Sequence, residues 1–200
     1  MDQPGKTPQA TRGDRVARTR EAIVAATLTL AAGGAVTPIV RDIAQIAGVS
    51  ARTVFQHFAD TAELYLAVLS RVLATMADLP EPTAAWPLER RIEVLSDAFA
   101  ARFEQLLPLW PFFQGLQQRS AEAAGLMAAL YAGSRTRVGQ WFAAELATLS
   151  EQTRERAVNA LCVAMAPEGW IVLRQRLGLS PDDARAEWRY MMATVLSAKR

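Results

Sequence analysis

Between Arg41 and Phe58 the chain places Ser50, Ala51, Arg52, Thr53, Gln56 and His57 on what reads as one short helix. These are side chains that can read nucleic acid. An arginine can donate two parallel hydrogen bonds to guanine and a glutamine can pair with adenine, each good pair discriminating by about 1–3 kcal/mol. Arg52 is the candidate for guanine and Gln56 for adenine. Thr53 and His57 suit phosphate oxygens, contacts that position a protein on a duplex without specifying its sequence. Ser50 caps the helix, whose first amides also suit a phosphate oxygen. Upstream, Arg12, Arg15 and Arg18 stand close together with Asp14 among them, a cationic run within reach of a phosphate or a minor groove.

Such side chains do nothing unless two helices hold them at a fixed angle. Gly48 ends the first helix where a left-handed backbone is cheap only for glycine. Ala44 is small enough to let the helices cross, and Ile43, Val49 and Val54 fill the space between them. Thr37-Pro38 reads as the start of that first helix, with Thr37 as N-cap and a further phosphate contact, and proline in the first turn. An earlier helix is expected over 14–32, ended by Gly33-Gly34, and a later one from Asp60 toward Leu79.

The rest of the chain is also helical in pattern. Leu88, Ile92, Leu95, Phe99, Phe103 and Leu106 recur at steps of three or four, as an amphipathic helix requires. Pro108 and Pro111 interrupt it before a short helix to about Gln118. Longer helices are expected over 122–149 and 151–177, the latter kinked at Pro167, and a final one starts at Ser180-Pro181. The expected fold is all-α, with about nine helices. Residues 1–11 read as a disordered arm, 12–73 as a three-helix DNA-binding domain, and 74–200 as a helical effector-binding and dimerisation domain.

Composition narrows the function classes. The 200 residues are 51% hydrophobic and 21% charged, with one cysteine, one histidine and a net charge of +2. A single cysteine excludes a disulfide within the chain and fits a cytoplasmic location. One histidine and one cysteine leave no metal cluster and no Cys–His nucleophile pair. No catalytic constellation, metal site or cofactor motif is present, so no enzyme is expected. No apolar run approaches the roughly 20 residues of a membrane span. The aromatic residues concentrate after residue 98. Phe99, Phe103, Trp110, Phe113, Tyr131, Trp141 and Trp170 are candidates to line an apolar ligand pocket between helices, with Gln117 to orient a polar group.

The segment 18–69 resembles the DNA-binding domain of TetR-type transcriptional regulators. The resemblance rests on Arg20-Glu-Ala-Ile, Ala26, Gly34, Ile43-Ala44, Ala47-Gly48-Val49-Ser50, Thr53-Val54-Phe55, His57-Phe58 and Leu64, in that order and spacing. It implies three helices for DNA binding and a helical body for dimerisation and effector binding. It also implies a homodimer joined through the last two helices, a pseudo-palindromic double-stranded operator, and a small mostly apolar molecule that releases a repressor. The family usually carries Tyr where Phe55 stands and Lys where Thr61 stands. These two departures motivate an alternative, a helical interaction protein that keeps the fold with weak or lost DNA binding.

Overall fold

The computed structural model describes residues 11–77, 80, 83 and 85–197. Among them there is no strand. Most of the arm expected over 1–11 lies outside the described residues; Thr11 is the N-cap of α1 (Arg12–Ala32). Its hydroxyl accepts from the Asp14 amide at 3.2 Å, and the Asp14 carboxylate accepts from the Thr11 amide at 2.8 Å. This reciprocal pair satisfies two otherwise open donors and starts the helix two residues before the expected position. Ile23, Val24, Ala26, Thr27 and Ala31 form the buried face of α1.

The second helix, α2 (Val40–Ala47), starts later than the Thr37-Pro38 signal suggests. Ile39 is its N-cap and makes no side-chain cap bond, so Thr37 caps nothing and stays exposed. Pro38 instead lies ahead of the helix, buried, with its carbonyl accepting from the Tyr65 hydroxyl. Gly48 closes α2 at φ 69°, the left-handed conformation its place in the sequence requires. Ser50 caps α3 (Ala51–His57), accepting from the Thr53 amide at 3.0 Å. Asp60 does the same for α4 (Thr61–Ala77), accepting from the Glu63 amide at 2.8 Å. Ile43, Ala44, Val54, Phe58, Leu64 and Val68 are buried together at the centre of these four helices.

Proline and cation chemistry shape the remainder. After α5 (Leu88–Leu106), Pro108 falls in a tight 3-10 turn, Leu107–Leu109, and α6 (Trp110–Arg119) follows with Pro111 in its first turn. The single helix expected over 122–149 is two: α7 (Ala121–Trp141) and α8 (Ala143–Ala147). Buried Arg91 explains the break. Its guanidinium donates to the Trp141 carbonyl at 2.6 Å, an acceptor that a continuous helix would use itself, and ion-pairs with Glu145 beyond the break. Phe142 turns fully into the core there.

Pro167 does more than kink its helix. The chain stops at the end of α9 (Glu151–Ala164) and resumes as α10 (Pro167–Ile171), with a 53° bend between them. Ala166, just before the proline, is extended, as proline's ring demands of its predecessor. A π-type turn, Val172–Arg176, leads by way of Gly178 to α11 (Pro181–Ser197), which Ser180 caps. Trp188 on α11 meets Trp170 with ring centroids 4.7 Å apart and Phe103 at 5.6 Å, locking α11 onto α5 and α10.

Candidate nucleic-acid interface

On α3, Val54 turns inward while Ala51, Arg52, Phe55 and Gln56 are exposed on the outer surface. Arg52 and Gln56 are one helical turn apart, so they point the same way. Thr53 is half-buried, its hydroxyl 2.8 Å from that of Ser50 at the helix start. Phe55 was not among the sequence candidates. It is 52% exposed beside Arg52, three positions along the same face. Its spacing from Arg52 was the signal that could have found it.

Arg12 and Arg15 come together with Val16, Thr19 and half-buried His57 around a shallow depression where α1 passes the end of α3. The structure therefore joins two of the three upstream arginines to the recognition segment. Arg18 lies further along α1 and donates to the Asp14 carbonyl at 3.3 Å. Thr37 is exposed in the segment ahead of α2.

One buried-side clamp fixes the end of α3. The Arg20 guanidinium lies 4.0 Å from the centre of the Phe58 ring, donates to the His57 carbonyl and pairs with Glu63 at 3.3 Å. Glu63 in turn accepts from the Ala59 amide at 2.7 Å, a bond that holds its carboxyl below the usual range. Arg20, half-buried, thus positions the end of α3.

The body grips the segment before α2. Tyr65 on α4 reaches the Pro38 carbonyl with its hydroxyl and meets the Phe112 ring of α6 edge-on at 5.3 Å. Arg119 at the end of α6 donates to the Val36 carbonyl at 3.4 Å. Gly115 lies so close that a Cβ there would stand 3.0 Å from the Val36 side chain. Glycine is what permits this approach.

A partly enclosed cavity of about 170 Å³ lies between α5, α7 and the α9–α10 bend, with Met76 of α4 on its wall. Phe99, Phe103, Tyr131 and Trp141 line it, four of the eight aromatic and amide residues expected to face a ligand. The other four are placed elsewhere. Trp110 and Phe113 are buried on the inner side of α6, where Phe113 meets Phe112 edge-on at 5.3 Å. Gln117 folds back toward the Phe113 carbonyl of its own helix. Trp170 is consumed by the core, its ring on Trp188 and its Nε1 donating to Glu104 at 2.8 Å. Sequence reasoning missed Met76, Ser134, Met165 and Cys162 as wall residues. Cys162 is half-buried at the cavity rather than a core residue, and burial pushes its thiol pKa up.

Among the described residues, no group of three or more His, Cys, Asp or Glu side chains could hold a metal ion. No single helix there is long and apolar enough to cross a membrane, although the bent pair Glu151–Ala164 and Pro167–Arg176 passes by length and composition.

Four helices that expose Arg52, Phe55 and Gln56 on one face beside a basic flank, set on an all-helical body, have the architecture of a helix-turn-helix protein. Residues 23–68 match the family model described as bacterial regulatory proteins, tetR family. The helix-turn-helix unit is therefore similar to that family's, and the all-α fold around it is similar to those of solved regulators. Two solved structures are similar along most of the chain. A transcriptional regulator from Rhodococcus sp. Rha1 aligns with a TM-score of 0.69 at 17% identity, over 88% of this chain and 95% of its own. A tetR-family transcriptional regulator from Streptomyces coelicolor aligns with a TM-score of 0.67 at 18% identity, over 88% and 81%. Among curated proteins, none matches the chain.

Proposed function

We propose that this protein is a homodimeric, ligand-responsive repressor that binds a pseudo-palindromic DNA operator and leaves it when a small, mostly apolar molecule occupies the body. The observation that carries the reading is the outer face of α3, where Ala51, Arg52, Phe55 and Gln56 are exposed while Val54 holds the helix in place. In this reading residues 12–73 contact DNA and residues 74–200 dimerise and bind effector, with α4 shared between them.

The last helices supply the dimer face. Val163, Val172 and Tyr190 are 72%, 47% and 67% exposed, apolar surface that a partner copy would cover as a four-helix bundle. A two-fold dimer presents two α3 helices to half-sites one turn apart, roughly 34–36 Å. An effector releases DNA only by binding one spacing more tightly than another. Helix α4 is the natural lever, because Met76 faces the cavity and Tyr65 holds the segment before α2.

Fluorescence anisotropy with the DNA flanking its own gene tests this. The wild-type chain should bind one duplex in the presence of competitor DNA, with affinity that falls as salt rises. Arg52→Ala should relax the preference at one base position per half-site by about 1–3 kcal/mol. Equal losses on every sequence would make Arg52 a phosphate contact instead. Weak, sequence-blind binding by the wild type would favour the alternative that Phe55 and Thr61 motivate, a helical interaction protein without useful DNA affinity.

A further inference from the structure

We propose that the cavity between α5, α7 and the α9–α10 bend selects a neutral single-ring aromatic molecule bearing one hydrogen-bond donor, such as a simple phenol. This rests on the effector reading above and gives that ligand its chemistry. Size comes first. The cavity measures about 170 Å³, and an apolar protein cavity of about 150 Å³ holds benzene. One ring with a small substituent fills it; two fused rings with side chains do not.

The walls favour an aromatic guest. Phe99 and Trp141 stand edge to face with centroids 5.9 Å apart, and Phe103 lies 5.6 Å from Phe99. Sulfur atoms of Met76, Met165 and Cys162 supply polarisable contacts that suit a ring edge.

Charge and hydrogen bonding set the rest. No carboxylate lines the cavity, so a cation finds no partner on its walls. The two arginines that do line it are committed: Arg135 donates to Asn159 and pairs with Glu155 at 3.6 Å, and Arg137 is engaged as well. A carboxylate guest would compete with Glu155 and Asn159 for Arg135. The hydroxyls are committed as donors, Tyr131 to Glu168 at 2.6 Å and Ser134 to the Leu130 carbonyl at 3.0 Å. Each keeps a lone pair that can accept. A guest that donates one hydrogen bond therefore completes the site, and one that only accepts does not. Met76 also lines the groove between α1, α4 and α5, so a guest packed behind it touches the helix that carries Tyr65.

Cys162 is the chain's one cysteine and lines this cavity, which makes it a site-specific reporter. The full-length protein is alkylated with N-ethylmaleimide at mildly alkaline pH, and the rate is followed by intact mass with 4-methylphenol, benzoate or benzylamine present. Intrinsic tryptophan fluorescence, to which Trp141 on the cavity wall contributes, is read in parallel. Alkylation should slow roughly tenfold when 4-methylphenol reaches about ten times its dissociation constant, because only the free form reacts. Benzoate and benzylamine should leave the rate unchanged. Ser134→Leu, which removes an acceptor and narrows the cavity, should abolish the protection while the thermal midpoint holds or rises. Protection by benzoate or benzylamine equal to that by 4-methylphenol overturns the proposal, as does an unprotected thiol at saturating 4-methylphenol. Protection without any change in operator affinity upholds the cavity's chemistry and removes the ligand-responsive part of the function instead.

Discussion

In the proposed function, Arg52, Gln56 and Thr61 bear on DNA one side chain at a time. Arg52 and Gln56 are exposed, and Thr61 sits half-buried in the first turn of α4 where the TetR-type regulators that this segment resembles usually have lysine. Each phosphate contact adds about 0.9 to the magnitude of the slope of log affinity against log salt. Thr61→Lys should therefore steepen that slope by about 0.9 in anisotropy titrations across a salt series. An unchanged slope would place Thr61 away from the backbone. Residues whose role is local were legible in the sequence: Ser50 as a cap and Gly48 in the left-handed region stand as expected. Arg20 was legible only as a position in a motif. Its partners, His57, Phe58 and Glu63, lie far along the chain, and no local pattern announces such a meeting.

At the scale of helices, the first four were all expected in the sequence, with Gly48 and Ser50 marking ends correctly and the start of α2 misread by two residues. The body was read less well. Its breaks at Phe142 and Ala166 depend on partners from other helices or on how sharply a proline is obeyed. Trp170 illustrates the limit, since an aromatic residue in sequence looks the same whether it lines a cavity or, as here, stacks in a core. The Phe142 break carries a testable signature. Burial alone would raise the Glu145 carboxyl, but the Arg91 hydrogen bonds outweigh it and hold the pKa below its usual value of 4.5. A carboxyl depressed in the folded state stabilises it above the unfolded pKa, and that stability is lost as pH falls through the folded value. The thermal midpoint of the wild type should exceed that of Glu145→Gln near neutral pH. The gap should close progressively below about pH 4.5. A gap that persists in acid would mean the Arg91–Glu145 pair contributes through packing alone.

For the whole molecule, the proposed function turns on the spacing between two α3 helices, which requires a dimer. Val163 is the most exposed large apolar residue of α9. Val163→Glu should cost the monomer little, because the side chain faces outward, yet two buried like charges should oppose pairing. Sedimentation velocity should then show a monomer, and operator affinity should drop to that of one half-site. A dimer that survives would move the interface to another face. The segment between α1 and α2 is held by Tyr65 of α4 and, from the body, by Arg119 and the close approach of Gly115. Helix α2 begins with no side-chain cap of its own. The recognition unit is consequently not a cassette. Grafted onto a foreign body, residues 11–77 would lose the α6 side of that grip, so a working chimera should carry α6 with Arg119 and Gly115.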